Sequence, residues 1–236
     1  MIKNLLSIRS YSTKPAIHSH SFNQLVLPLR GVINIRVGDF NGKVTPGECV
    51  VVKTNAEHLF TADAQARFVV ADMQNLPDNI NSSQRIVFAI NHSLSCYLTF
   101  IESQLENKIN EQVEQGMFEM FNLLLQEQPL LAKIDHRIGT AISFIEKNMM
   151  QQLKIKNLAD LACLSETQFK KLFKDQTNTT VMKYVTKLRM EKAQALLTHT
   201  DYPLPIIGEK VGYQEPSSFS RKFSQYFGFS PNKFKR

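Results

Sequence analysis

The sequence contains few cysteines and no long apolar run. Its longest apolar stretches, such as "VFAI" and "FNLLL", are far shorter than the ~20 residues that a membrane-spanning helix requires. The chain has three cysteines, an odd number, and they show no Cys-x-x-Cys spacing: Cys49, Cys96 and Cys163. Neither a disulfide framework nor a cysteine zinc site is therefore indicated. The N-terminus lacks the continuous apolar segment of a secretory signal. These absences predict a cytoplasmic protein without a membrane partner.

Charge is divided unevenly along the chain. The 236 residues are 43% hydrophobic and 21% charged, which predicts folded structure, and the length favours two domains. Residues 1–132 contain 10 Lys or Arg and 12 Asp or Glu, a net charge of −2, whereas residues 133–236 contain 18 and 9, a net charge of +9. The second half is therefore the part that we expect to contact a polyanion.

Short β-strands are predicted from about His18 to Met73. The segments "QLVLPLRGVINIRVG", "GECVVVK" and "ARFVVADM" are rich in Val, Ile and Leu, and the stretches between them are rich in Gly, Asn, Asp and Pro. Strands at roughly ten-residue spacing are typical of a small antiparallel sandwich or barrel.

Two helices are predicted after Ser93, where the apolar period changes to three and four residues. The apolar positions are Leu98, Ile101, Leu105, Ile109 and Val113, followed by Met117, Phe118, Phe121, Leu124 and Leu125. These stripes could pack on the sheet, on each other or on a second subunit. The run is too short to establish a heptad pattern, so intramolecular packing and a dimer interface both stay open.

The region from Lys133 to Arg236 predicts helices throughout and contains a repeated unit of helix, tight turn and helix. "SETQFKKLFKDQTNTTVMKY" aligns with "PSSFSRKFSQYFGFSPNKF" at an offset of 50, and the helices before them align at an offset of 49. The matched pairs include Phe169 and Phe219, Phe173 and Phe223, Asn178 and Gly228, Tyr184 and Phe234, Ala159 and Gly208, and Cys163 and Gly212.

The second helix of each unit has an apolar face and a polar, basic face. We expect the phenylalanines to be buried, because they share one helical face. The opposite face presents hydroxyl, amide and cationic side chains, which suit base edges and phosphates. The residues on this polar face are Thr167, Gln168, Lys170, Lys171 and Lys174 in the first unit, and Ser217, Ser218, Ser220, Arg221 and Lys222 in the second.

This pattern favours a pair of helix-turn-helix units joined by a helix from Thr180 to Leu197. Such a helix would span roughly 27 Å, and two units read neighbouring major grooves when they lie about 34 to 36 Å apart. The alternative is a helical bundle whose lysines are merely solvated, but this alternative explains neither the repeat nor the charge of the second half.

The last hundred residues resemble the DNA-binding domain of the AraC/XylS family of bacterial transcription regulators, particularly in "LRMEKAQALL", "IIGEKVGYQEPSSFSRKF" and "FGFSPNKF". The chain departs from the family pattern at three positions, with Cys163 for a turn glycine, Gly208 for an alanine and Asn178 for a glycine. The resemblance implies that base-facing positions fall on Thr167, Lys170 and Lys171 in the first unit, and on Pro216, Ser217, Ser218 and Arg221 in the second. Of these, Lys171 and Arg221 are the strongest candidates.

The segments "HSHSFNQLVLPLRG", "GKVTPGE" and "NAEHLF" resemble a cupin, a small β-barrel often fused to this DNA-binding domain. The resemblance places His18, His20 and His58 at metal-ligand positions, with Gln24 where metal-binding cupins have glutamate. Three imidazoles and an amide could still hold a divalent metal. The preferred interpretation is a pocket for a small-molecule effector at these four residues, and a purely structural barrel is the other alternative.

These features together predict an α+β protein of two domains. An antiparallel cupin-like barrel would occupy residues 1–92, a helical connector residues 93–131, and an all-α DNA-binding domain with two helix-turn-helix units residues 132–236. The expected function is sequence-specific transcription regulation, with double-stranded DNA and RNA polymerase as partners, and with an effector and a second subunit left open. No cofactor, resident metal or catalytic residue is expected. Rival hypotheses are a metal-dependent cupin enzyme with an accessory basic domain, and a non-specific nucleic-acid binder.

Overall fold

A computed structural model describes residues 4–10, 16–63, 65–130 and 134–234. The chain forms two compact units, residues 1–133 and residues 134–236. The predicted boundary between residues 131 and 132 lies outside the described residues. No helix in the described part of the chain is long and apolar enough to cross a membrane.

The first unit contains two antiparallel β-sheets, which agree with the predicted short strands. One sheet has the order β1-β8-β3-β6-β9 and the other the order β2-β7-β4-β5. The strands are β1 (Leu5–Arg9), β2 (Ala16–His18), β3 (Asn23–Arg30), β4 (Ile33–Val37), β5 (Phe40–Val44), β6 (Glu48–Val52), β7 (His58–Ala62), β8 (Arg67–Met73) and β9 (Val87–Ala89).

The two sheets share one apolar core. Side chains alternate between the two faces of a strand, so β3 directs Val26 to this core and Leu25 to the opposite face of its sheet. On the second sheet, β4 contributes Ile33 and Ile35, and β7 contributes Phe60. The first unit is therefore a sandwich whose inner layer is mainly aliphatic, with Phe60 and Phe68 as buried aromatic residues.

Helices cover the outer face of the five-stranded sheet. They are α1 (Asp78–Asn81), α2 (His92–Leu105) and α3 (Glu111–Gln126). Leu98 and Ile101 of α2 and Phe121 of α3 are buried in the same core as Leu25 of β3. Intramolecular packing therefore accounts for one apolar face of each helix, which answers part of the question that the sequence left open.

The second unit is all α-helical, as predicted. Its helices are α4 (His136–Asn148), α5 (Ile155–Leu161), α6 (Glu166–Thr177), α7 (Val181–His199), α8 (Leu204–Lys210) and α9 (Pro216–Phe227), with a 3₁₀ turn at Pro231–Lys233. Its described residues form two apolar cores instead of one. Val181 and Val185 of α7 belong to the first core, together with α4, α5 and α6. Met190 and Ala193 of the same helix belong to the second, together with α8 and α9.

Local signals in the sequence determine where several of these helices begin and end. The side chain of Asp135 caps α4 by accepting from the backbone N–H of Arg137 at 3.0 Å, and Thr180 caps α7 in the same way. Asn178 ends α6 with a φ of 55°, and Gly228 ends α9 with a φ of 80°. Both are left-handed conformations, which Asn and Gly adopt at low cost.

Candidate nucleic-acid interface

The repeat seen in the sequence is also a repeat in three dimensions. The ring centroids of Phe169 and Phe173 lie 5.7 Å apart with an interplanar angle of 58°, and those of Phe219 and Phe223 lie 5.7 Å apart at 61°. The third aromatic ring of each unit repeats as well. The Phe173 and Tyr184 centroids are 5.5 Å apart, and the Phe223 and Phe234 centroids are 5.6 Å apart. The same aromatic scaffold therefore holds α6 and α9.

The turns that precede α6 and α9 also match. The backbone N–H of Leu164 donates to the carbonyl of Ala159 at 2.9 Å, and that of Tyr213 donates to the carbonyl of Gly208 at 2.9 Å. Each turn requires one left-handed residue. This residue is Cys163, with a φ of 53°, in the first helix-turn-helix unit and Gly212, with a φ of 82°, in the second. Cysteine in this conformation carries a Cβ that crowds the backbone, so the first turn is strained where the second is not.

A stripe of exposed side chains lies opposite the buried phenylalanines of α6. Successive residues of an α-helix are about 100° apart around its axis. A residue two positions from a buried phenylalanine is therefore about 200° away from it and faces away from the core. Thr167 and Lys171 fall within about 40° of that outward direction and Lys174 within about 60° by the same count, and all three are exposed. Ser217 and Arg221 are exposed at the corresponding positions of α9. Among the described residues, no carboxylate pairs with Lys171 or Arg221, so both cations are free to bind a ligand.

The other predicted residues flank this stripe. Gln168 is exposed, but its Oε1 atom accepts from the backbone N–H of Ser165 at 3.2 Å. Lys170 pairs with Glu166 at 3.6 Å on the same helix. Pro216 is exposed at the first position of α9. Three further predicted residues, Ser218, Ser220 and Lys222, are only partly exposed. The outward stripe is thus narrower than the set that the sequence indicated.

Ser224 was missed by the sequence reasoning. It stands 50 residues after Lys174, and it is partly exposed on α9. The offset that aligns the two copies would have identified it, but the residue types differ, because the first unit has a cation where the second has a hydroxyl.

The candidate effector residues of the N-terminal unit, residues 1–133, divide into two groups. His58 is buried and lies opposite His18 in the β2–β7 ladder, with 3.1 Å between their Nε2 atoms. The ring centroids of His20 and His58 are 4.9 Å apart. Gln24 belongs to a separate group, since its side-chain amide donates to Asp72 at 2.6 Å, and Asp72 also pairs with Arg9.

Backbone carbonyls indicate which ring nitrogens donate in the histidine group. A carbonyl can only accept, so Nδ1 of His20 donates to Phe22 at 2.7 Å, and Nδ1 of His58 donates to Ala56 at 2.8 Å. A neutral imidazole that donates through Nδ1 has a bare Nε2 atom. The Nε2 atom of His18 supplies a proton to that of His58, whereas the Nε2 atom of His20 is buried and has no partner among the described residues. Burial lowers the pKa of His58 below its usual value, and neighbouring His18 and His20 lower it further.

The arrangement does not fit a metal centre of three imidazoles and an amide. The described residues contain no group of three or more His, Cys, Asp or Glu side chains that could hold a metal ion, and the amide nitrogen of Gln24 is turned to Asp72. Among the buried side-chain atoms of this group that the structure describes, the Nε2 atom of His20 has no hydrogen-bond partner.

Comparisons with known proteins agree with the architecture of the second unit. Residues 158–236 match a family model described as a helix-turn-helix domain. The chain is 22% identical over 227 residues to the uncharacterized HTH-type transcriptional regulator YobQ of Bacillus subtilis, covering 96% of this chain and 91% of that protein. It is 25% identical over 227 residues to the probable transcriptional regulator LumQ of Photobacterium leiognathi, covering 92% and 90%.

A solved structure similar to part of the chain is the C-terminal domain of AraT, a response regulator from Geobacillus stearothermophilus. It is 30% identical and has a TM-score of 0.43, covering 44% of this chain and 88% of that one. The family model covers α6 and α9 together with both turns, so the repeated scaffold and the matched domain are the same part of the molecule.

Proposed function

The chain belongs to the AraC/XylS family of DNA-binding transcription regulators, and on this premise we propose that α6 and α9 are its two recognition helices. Each would lie in the major groove, with its exposed stripe facing the bases. The observation that carries this proposal is the match between the two aromatic scaffolds, which present different side chains on the same framework.

Lys171 and Arg221 are the residues to which we assign the central contacts. Both are exposed on the outward stripe without a carboxylate partner in the described part of the chain. A long cation can donate to the O6 and N7 acceptors of guanine or to a phosphate oxygen. Thr167, Ser217 and Pro216 lie one turn or more towards the helix N-terminus, where base edges are contacted in helix-turn-helix proteins. Lys174 and Lys170 are suited to the flanking phosphates.

The two recognition surfaces differ in chemistry, so the DNA site of one chain should be asymmetric. The first surface presents Thr167, Lys171 and Lys174, whereas the second presents Ser217, Arg221 and Ser224. The cation of Lys174 on the first surface is thus replaced by the hydroxyl of Ser224 at the matching position of the second. The two half-sites within one footprint are therefore expected to have different sequences.

The first unit is proposed to be a cupin-like sensor. A bare, buried Nε2 atom on His20 would accept a hydrogen bond from a hydroxyl or amine of a small effector. Val113, Met120 and Leu123 of α3 remain exposed, and this stripe is a candidate surface for a second subunit. RNA polymerase is the expected partner at the promoter, and the cytoplasm the expected location.

Selection from a pool of random duplexes, followed by titration of the winning duplex at several salt concentrations, tests the DNA-binding proposal. A regulator should enrich one asymmetric sequence, and its binding constant should fall steeply with salt as counterions are released. Equal affinity for unrelated duplexes would identify a non-specific binder. Metal bound at one per chain, and lost in a His58→Asn variant, would favour the enzyme alternative.

A further inference from the structure

We propose that Arg189 is a clamp that fixes the separation of the two helix-turn-helix units and so determines the spacing of the half-sites that the protein accepts. The inference rests on the proposed function of α6 and α9. It concerns a residue that lies on neither recognition helix, and it predicts a dependence on DNA length instead of DNA sequence.

Arg189 lies at the point where α7 passes from one core to the other. Val185, four residues earlier, belongs to the first core, and Met190, the next residue, belongs to the second. A bare helix at this position could bend or twist, since the two cores are separate apolar clusters. A side chain that contacts both units at this point would resist such motion.

The guanidinium binds the first helix-turn-helix unit through two backbone carbonyls. Its Nε atom donates to the carbonyl of Met149 at 2.9 Å, and its Nη2 atom donates to the carbonyl of Gln151 at 2.8 Å. Both carbonyls follow the end of α4, where helical carbonyl groups lack partners within the helix. Two charged hydrogen bonds from one planar group define an orientation as well as a distance.

The same guanidinium contacts the turn of the second helix-turn-helix unit. It lies over the ring of Tyr213, with 5.5 Å between the Cζ atom and the ring centroid. A Cβ atom placed on Gly212 would lie 2.7 Å from the Nη2 atom of Arg189 and 2.7 Å from the carbonyl oxygen of Met149. The turn before α9 is therefore packed directly against Arg189 and against the first helix-turn-helix unit. It leaves no room for a methyl group.

The consequence for DNA follows from the geometry of the double helix. With 10 to 10.5 base pairs per turn, one additional base pair rotates the second half-site by about 35° around the axis and moves it by about 3.4 Å. A rigid pair of recognition helices cannot follow this change, whereas a pair joined only by α7 could adapt. Strict spacing should accordingly depend on Arg189.

The test uses the full chain and the duplex that the wild-type protein selects, together with versions that carry one added or one removed base pair between the half-sites. Wild-type affinity should fall about tenfold for either change. In Arg189→Gln, the loss should shrink to about twofold, while affinity for a duplex carrying a single half-site stays at the wild-type value. Arg189→Lys keeps the charge but not the paired donors, so its spacing penalty should also shrink.

Two glycine variants provide a matched control. Gly212 and Gly228 have φ values of 82° and 80°, but a Cβ atom on Gly228 would meet nothing within 4 Å. Gly212→Ala should relax the spacing penalty as the arginine variants do, and Gly228→Ala should keep it. A full spacing penalty in Arg189→Gln, Arg189→Lys and Gly212→Ala would overturn the clamp. If the wild-type protein selects no duplex, the proposed function fails instead.

Discussion

Ser165 and Gln168 hold each other across the first turn of α6. The backbone N–H of Gln168 donates to the Oγ atom of Ser165 at 3.3 Å, and the Oγ hydroxyl of Ser165 donates to the Oε1 atom of Gln168 at 2.9 Å. The two residues form a capping box, in which each side chain satisfies the other residue's backbone N–H. Gln168, which the sequence assigned to the DNA-facing surface, therefore has a structural contact at the helix N-terminus.

We expect Gln168→Ala to lower the free energy of unfolding of the second unit by about 1 kcal/mol, because the backbone N–H of Ser165 loses its partner. Gln168→Glu should leave stability nearly unchanged, since glutamate also completes a capping box. Urea denaturation followed by circular dichroism measures both effects. Equal stability of the alanine and glutamate variants would contradict the structural assignment.

Lys171→Ala and Arg221→Ala should each weaken binding to the selected duplex by about 1 to 3 kcal/mol if the side chain reads a base. Neither side chain has a carboxylate partner among the described residues, so its removal leaves no unpaired charge in the free protein. Fluorescence anisotropy at fixed salt measures the change. Lys108→Ala in the first unit removes an exposed cation of equal charge and should have no effect.

A loss that is equal for the selected and an unrelated duplex, with a salt slope reduced by about one, would identify a phosphate contact. Unchanged affinity in both the Lys171→Ala and Arg221→Ala variants would show that the assigned residues do not contact the DNA.

Cys163→Gly should stabilise the second unit by about 1 kcal/mol, because glycine removes the Cβ atom that disfavours a left-handed backbone. Cys163 is exposed, so little buried surface is lost. Asn178 has a similar φ of 55°, yet Asn178→Gly should change stability much less, since asparagine tolerates this conformation. Thermal and urea denaturation of the pair separate backbone strain from other effects of glycine. A destabilised Cys163→Gly variant would contradict the account.

Acid should destabilise the first unit through His58. Burial lowers the pKa of His58 in the folded protein, whereas in the unfolded chain it titrates near the usual value of about 6.5. Above that pH both states are neutral and stability is complete; as the pH falls below it, the unfolded state binds a proton that the folded state disfavours, so stability is lost.

Melting of the full chain between about pH 7 and pH 5, the range of imidazole titration, measures this loss. His58→Asn should flatten the pH dependence, and His199→Asn, which changes an exposed histidine of the second unit, should leave it intact. The same slope in the wild type and in His58→Asn would exclude His58 as the source.

Much of the second unit could be predicted from the sequence, because its signals are local. Apolar residues at three- and four-residue steps define a helix face, Ser165, Thr180 and Asp135 stand at helix starts, and Asn178 and Gly228 at helix ends. Each of these signals acts through neighbours within about one helical turn. The offset of 50 residues extended this local information to the pairing of two whole units.

Contacts between distant residues could be resolved only by the folded chain. The sequence left open whether α2 and α3 pack on the sheet or on a second subunit, and close packing buries Phe121 beside Leu25. The four candidate effector residues divide, because Gln24 finds a buried carboxylate on β8. Arg189 contacts a carbonyl 40 residues away. Periodicity and residue type describe which face a side chain occupies, whereas the partner on that face depends on how separate elements fill space together.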